Sequence, residues 1–386
     1  MTGRIDGWVA PGWEPVREAF AANFAAGGEI GAAVCIYRRG APVVDLWGGW
    51  ADADEGARPW AEDTVGLMFS TTKGVTAICT HLLVQQGRLD LDAPVASYWP
   101  EFAAAGKGAL PVRWVLAHRA GLAAVTATLS LDQVLAWEPV VEAIAAQAPL
   151  WEPGTAHGYH ARTYGWIMGE VIRRITGQSF GAFLAQELAA PLSLDVWVGL
   201  PEVIEPRMAR LYPPPANPDP DVQRMIDSFM GPDTLLGQVL SGPSGLFGYN
   251  NMWNERALHA CEMPSSNGIG SARSLARLYA ATIGTVDGVR VLEADTVEAA
   301  CQVQSDGPDK VLMTPTRFGL GFMLPPLLPP AVGERSFGHA GAGGSLAFAD
   351  PDAGLAFGYV MNQMQLGLTG DERALGLAAA AYRCLS

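Results

Sequence analysis

Residues 345–362 read SLAFADPDAGLAFGYVMN: two apolar, strand-like runs joined by a turn at Pro351 to Gly354. RFGLGFML at 317–324 reads as a further strand before them, and an Ala- and Leu-rich helix follows from about Asp371 to Cys384. The other end of the chain mirrors this arrangement. PVREAFAANFAA at 15–26 has apolar residues at helical spacing and stops at Gly27-Gly28. AAVCIYR and PVVDLWGG then flank Arg39-Gly40, a turn that wants a positive φ, so residues 32–48 form a hairpin. Strands at both ends with no partner between them predict one antiparallel sheet built from both termini, flanked by helices. The terminal helices are expected on one face and the helix after Phe69 on the other. Residues 1–85 plus 270–386 then make an α/β sandwich domain, and 86–269 an inserted, mainly helical domain with lid-like loops.

Within that middle region, helical patterns run over 111–118, 131–147 and 162–176, the last stopped by Gly177. LYPPPANPDPD at 211–221, and the span onward to Asn267, carry too much Pro, Gly, Ser and Asn for continuous secondary structure, and long loops of this kind often wall or cover a site.

Composition narrows the function. The 386 residues are 49% hydrophobic and 17% charged, a globular balance, and the net charge of −14 opposes a nucleic-acid surface. No apolar window is long enough for a membrane span, and the first residues lack the basic start and apolar run of a secretion signal, so a cytoplasmic protein is expected. Five scattered cysteines suggest neither a disulfide framework nor a zinc knuckle.

The chemistry is read from LMFSTTKGVTAICTHLLVQQG, residues 67–87, where Lys73 is the only formal charge between Asp63 and Arg88. The chain has only three lysines, Lys73, Lys107 and Lys310, so a purely structural cation would more naturally be arginine. A cation in the first turn of a helix also opposes the macrodipole, which favours the free amine instead. Ser70 lies three residues earlier on the same helical face, near enough to give its proton to that amine. Gly74 beside Lys73 predicts close approach of another backbone. Tyr159, on the loop of WEPGTAHGYHARTYG at 151–165, becomes useful if it sits near Lys73, because a neighbouring cation favours phenolate and lets the oxygen carry a proton. Tyr164 falls inside the helical pattern and is assigned to packing. FGHAGAGGSL at 337–346 combines His339 with four glycines that let a ligand approach backbone N–H groups, as an oxyanion site requires.

STTK at 70–73, Tyr159 after WEPGT, and HAG at 339–341 together resemble the serine hydrolases of the class C β-lactamase and penicillin-binding-protein superfamily, and most of all the family VIII carboxylesterases. The likeness extends over LAHRAGL at 116–122 and NGIGSARSLARLYA at 267–280. It implies an α+β, β-lactamase/transpeptidase-like fold, with Ser70 as nucleophile, Lys73 as its base and Tyr159 as proton relay. It implies an oxyanion hole from the backbone N–H groups of Ser70 and Ala342, and substrate contacts at His339 and Gly341. No cofactor or metal is called for, and the partner is a small-molecule ester.

Two departures from the family pattern favour esters over anionic β-lactams. Tyr159-His160-Ala161 lacks the asparagine two residues on, and His339 replaces the lysine of Lys-Thr-Gly. Acyl transfer to an alcohol, β-lactamase action and D-amino-peptidase-like hydrolysis remain the alternatives. A metal site on His157 and His160 lacks a third ligand run, and a sensor or scaffold would need a damaged nucleophile. GGSLA at 343–347 ends in Ala and is no G-x-S-x-G elbow.

Overall fold

The computed structural model describes every residue except 1–3, 55–56, 218, 368–369 and 386, so parts of the amino-terminal and proline-rich stretches read above lie outside the described residues. A seven-stranded antiparallel sheet forms the centre. Its order is Ile5–Val9, Ala41–Asp52, Gly31–Arg38, Leu355–Met361, Leu346–Asp350 and Phe337–Ala340, with Arg58–Pro59 paired to Ala41–Asp52. The two termini meet where Leu355–Met361 pairs with Gly31–Arg38, in a register that sets Phe357 opposite Ile36 and Gly358 opposite Cys35.

Because side chains alternate across a strand, this register sorts residues by size. Val34, Ile36, Leu346, Phe348, Leu355 and Phe357 fall on one face and bury against Val16, Phe20 and Phe24 of helix Glu14–Ala25 and Leu377 and Ala381 of helix Glu372–Arg383. Small residues face the other way: Ala347, Ala349, Ala356 and Gly358. A Cβ on Gly358 would lie 2.3 Å from the carbonyl oxygen of Ala272, so helix Ala272–Ile283 rests directly on the sheet there. The Ser70 helix lies on this side of the sheet, as expected, but does not cover it alone. Helix Ala272–Ile283 covers that face, and the Ser70 helix, Thr71–Gln85, packs beside it and against the edge strand Phe337–Ala340.

Gly74 is where these layers touch. A Cβ there would sit 2.0 Å from the Tyr279 hydroxyl and 3.5 Å from His339 Cβ, so the neighbour that demands glycine is a side chain and not the backbone expected. The Tyr279 hydroxyl is buried without a hydrogen-bond partner. Gly74→Ala is therefore expected to destabilise by about 1–3 kcal/mol through overpacking, although helix propensity alone would add about 1 kcal/mol of stability. Tyr279→Phe should be neutral or stabilising alone and should recover most of the loss in the double variant. Urea unfolding of the four proteins checks this.

Other sequence expectations are modified by local chemistry. RFGLGFML is a strand only at its start: Pro315–Phe318 pairs with Ser305–Pro308, after which Gly319 and Gly321 turn the chain so that Met323 bridges Gly338. The pattern at 131–147 is two helices, Leu131–Leu135 and Glu138–Ala146. Pro139 lacks an N–H and its ring would clash with the carbonyl of Leu135, so the first helix ends there. The stretch to Asn267 contains short helices Pro220–Phe229, Leu235–Ser241 and Arg256–Ala260, the first two capped by Asp219 and Thr234 side chains. Among the described residues no helix is long and apolar enough to cross a membrane.

Candidate active site

The chain reaches Ser70 through a short strand, Gly66–Leu67, paired with Ile269–Gly270. Phe69 then takes φ 42°, a left-handed conformation that disfavours a large side chain by about 1–2 kcal/mol. Edge-to-face packing of its ring on Trp253 (5.0 Å) and Tyr249 (5.5 Å) offsets that strain. The turn leaves Ser70 at the mouth of helix Thr71–Gln85, half-buried, with its backbone N–H bonded to no carbonyl of the described residues.

The edge strand closes on this turn from the other side. A Cβ on Gly341 would meet the Met68 carbonyl oxygen and Ser345 Oγ, each at 2.2 Å, so only glycine lets the two segments touch. Ser345 Oγ donates to that same Met68 carbonyl at 2.8 Å and lies 3.0 Å from Thr71 Oγ1. Ala342, the next residue after Gly341, opens a short 3-10 turn and its N–H likewise has no carbonyl partner. Two unused backbone donors thus flank the Ser70 turn.

Lys73 is fully buried, with Nζ 3.0 Å from Ser70 Oγ, 2.6 Å from the Ala161 carbonyl oxygen and 3.1 Å from the Ser265 carbonyl oxygen. Burial, reinforced by the charge of Arg162, holds this amine well below the ordinary lysine value. A neutral amine has two N–H bonds and one lone pair. Carbonyls only accept, so in that neutral form Ala161 and Ser265 would take the two N–H groups and leave the lone pair for the Ser70 hydroxyl, whereas an ammonium would donate to all three. Lys107 differs in its partners: its Nζ meets three carbonyls, Ala104 at 2.7 Å, Ala145 at 2.9 Å and Gln147, none of which can donate, whereas the Ser70 hydroxyl at Lys73 can both accept and donate.

Tyr159 lies beside this pair, its ring centroid 4.8 Å from Lys73 Nζ, and the Ser70 side chain is among the groups that act on its phenol. Burial opposes the expected phenolate. Burial raises the phenol well above its usual value, outweighing the Ser70 bond and the charge of Arg162, and the neutral amine of Lys73 supplies no cation to oppose it. Burial thus favours the protonated phenol at Tyr159. Its loop is tied by Asp309, whose Oδ1 accepts from the N–H groups of Tyr159 (3.1 Å), Val311 (2.8 Å) and Leu312 (2.9 Å). His118 packs on the ring at 4.9 Å. Tyr164 is buried in helix Thr163–Thr176, its hydroxyl 3.4 Å from the Lys73 carbonyl.

His339 is buried. Its Nδ1–H donates to the Ala340 carbonyl at 2.7 Å, Nε2 has no partner, and burial lowers its pKa to about 3, so the ring is neutral. His157 and His160 are each committed to hydrogen bonds, His157 with Thr316 Oγ1 (2.9 Å) and His160 with the Gly158 carbonyl (2.6 Å) and the Leu122 N–H (3.0 Å).

These neutral imidazoles predict acid lability. Burial lowers His81 and His160 from 6.5 to about 4, so below 6.5 the unfolded chain binds protons that the folded chain refuses. Their contribution to stability is intact above pH 6.5 and is lost as pH falls toward 4, on the order of 3 kcal/mol for each ring. His339 extends the loss lower. Melting temperature should fall steeply across that window, and a flat profile would contradict buried neutral rings.

Sequence comparison adds the lineage. Residues 16–382 match the Beta-lactamase family. The chain belongs to that family. Its similarity to the Esterase/beta-lactamase LipL of Mycobacterium tuberculosis (strain ATCC 25618 / H37Rv) is 36% identity over 375 residues, 94% of this chain and 83% of the relative. Among solved members of this fold, a family VIII carboxylesterase superposes with a TM-score of 0.89 at 39% identity, covering 99% of this chain and 100% of the other. A penicillin-binding protein homologue from Caulobacter crescentus gives 0.88 at 37% identity over the same shares. The beta-lactamase fold with an antiparallel sheet, expected from the sequence, is thereby established.

Sequence reading passed over several groups here. Ala161 and Ser265 contribute through backbone carbonyls, which any residue carries, so no side-chain signal marks them. Asp309 and Arg162 were visible as residue types only, because nothing local ties them to Ser70.

Proposed function

We propose that the protein is a serine carboxylesterase that hydrolyses short-to-medium acyl esters through an acyl-Ser70 intermediate. The observation that carries this reading is the placement of the buried Lys73 Nζ, 3.0 Å from Ser70 Oγ and 2.6 and 3.1 Å from the carbonyl oxygens of Ala161 and Ser265. In this reading the Ser70 proton passes to Lys73 Nζ as Oγ bonds to the ester carbon, and the carbonyl electrons move onto an oxyanion received by the N–H groups of Ser70 and Ala342. Collapse breaks the bond to the alcohol oxygen. Tyr159 gives that oxygen its phenolic proton and regains one from the Lys73 ammonium. Water repeats the sequence against the acyl carbon and returns Ser70.

Support also comes from the esterase relatives and from the neutral His339, which leaves the edge strand without a cation for a β-lactam carboxylate. A cytoplasmic site of action without cofactor belongs to the same proposal, supported by five unpaired cysteines. So does the division into 1–85 plus 270–386 and 86–269, with Ser70 and Lys73 in the first part and Tyr159 in the second.

The test is a p-nitrophenyl ester series from acetate to octanoate run beside nitrocefin. Esters are expected to exceed nitrocefin in kcat/KM by about 100-fold or more. Faster nitrocefin turnover would overturn the assignment in favour of β-lactam hydrolysis.

A further inference from the structure

Arg162 and Arg373, each 6% exposed, are the buried arginines among the described residues. Arg373 is neutralised by Glu29 at 3.0 Å and Asp371 at 2.6 Å. Arg162 has no carboxylate of the described residues within ion-pair distance. Its Nη2 donates to the Leu240 carbonyl at 2.7 Å, its buried Nε has no partner among the described residues, and its guanidinium lies 4.5 Å from the Phe247 ring centroid and 5.7 Å from that of Trp253. Aromatic faces and one carbonyl do not replace a counter-ion, and an arginine cannot escape by losing its proton: burial brings it down only to about 10.

This unpaired cation stands at the reactive groups. It directly follows Ala161, whose carbonyl holds Lys73 Nζ at 2.6 Å, and its own carbonyl accepts from Oγ of Ser265, whose carbonyl is a further Lys73 partner. Trp253, which lines it, also packs on Phe69 next to Ser70, as does Tyr249. A desolvated guanidinium in an aromatic wall, with donors to spare, is complementary to a carboxylate.

We propose that Arg162 is a specificity-determining residue that binds a carboxylate of the substrate, so that the preferred substrates are esters that also carry a free acid. The acid could sit on the acyl side, as in a half-ester of a short dicarboxylic acid, or on the alcohol side; both present the same anion to Arg162. This inference rests on the esterase reading for its turnover arm but not for its binding arm.

The binding arm is calorimetric titration of glutarate into the Ser70→Ala protein. Glutarate should bind, more weakly as salt rises, and affinity should fall at least about tenfold in Ser70→Ala/Arg162→Met while Ser70→Ala/Arg162→Lys retains part of it. The turnover arm compares methyl hydrogen glutarate with methyl 5-methylhexanoate, and 4-acetoxybutanoate with 4-methylpentyl acetate, each pair exchanging a carboxylate for an isopropyl group. The wild type should favour the acid of at least one pair by about tenfold or more in kcat/KM, expressed in KM, and Arg162→Met should erase that ratio with an unchanged or higher Tm. The proposal is overturned if glutarate does not bind, if neither acid is preferred, or if Arg162→Met lowers acid and neutral ester alike with a fall in Tm, the signature of a merely structural cation. Absent ester turnover together with Arg162-dependent glutarate binding would reject the esterase reading and leave this site standing.

Discussion

Ser70→Ala is expected to reduce ester hydrolysis by on the order of 10⁴-fold or more, with the protein folded and substrate still bound. Removing one oxygen takes away the bond-forming atom itself, whereas the backbone N–H groups of Ser70 and Ala342 that would receive the oxyanion belong to the main chain and stay in place. The residual rate should therefore be that of a site that only binds and polarises the ester. Mass spectrometry of the wild type treated with an activated phosphonate should show one adduct per chain, on Ser70, and none in the variant. Turnover surviving the substitution would reject the nucleophile.

Lys73→Arg is expected to be nearly as damaging as Lys73→Ala, about 10²–10⁴-fold in kcat, because it keeps the charge and loses the base. The arginine would also bring a second unpaired guanidinium beside Arg162, so this variant should be the less stable of the two. The sign of the pH dependence follows. A base works deprotonated, so activity is present above the folded pKa of Lys73 and is lost as pH falls through it. Since burial and Arg162 lower that pKa, activity should persist at pH values where an ordinary lysine, at 10.5, is fully protonated. A well-active arginine variant, or activity that appears only in strong alkali, would exclude Lys73 as the base.

Much of this was legible because it is written in local spacing. The strand-like runs around Pro351–Gly354 and Arg39-Gly40 encode two hairpins that pair with each other at the centre of the sheet, and Ser70 and Lys73 share a helical face by counting. What depends on burial was not. The proton on Tyr159 is decided by desolvation, which no residue in WEPGTAHGYHARTYG announces, and the expected phenolate required a charged Lys73 while the expected base required a neutral one. Burial of Lys73 favours the base side of that conflict, and the carbonyls of Ala161 and Ser265, from separate segments, aim the third direction of its nitrogen at Ser70. Layer order was hidden for a related reason: Gly358 and its alanine neighbours look like weak strand residues until helix Ala272–Ile283 is seen lying on them. The break before Glu138–Ala146 was readable in principle, since Pro139 names the carbonyl it excludes.

The scarcity of lysine gives the central claim a direct test. With only Lys73, Lys107 and Lys310 in the chain, carbon-13 labelling at lysine Cε yields three signals, assigned by their loss in single arginine variants. Near neutral pH the Lys73 signal is predicted to carry the chemical shift of a free amine and to move on acidification. A Lys73 signal that remains that of an ammonium from neutral pH into the alkaline range would contradict the account.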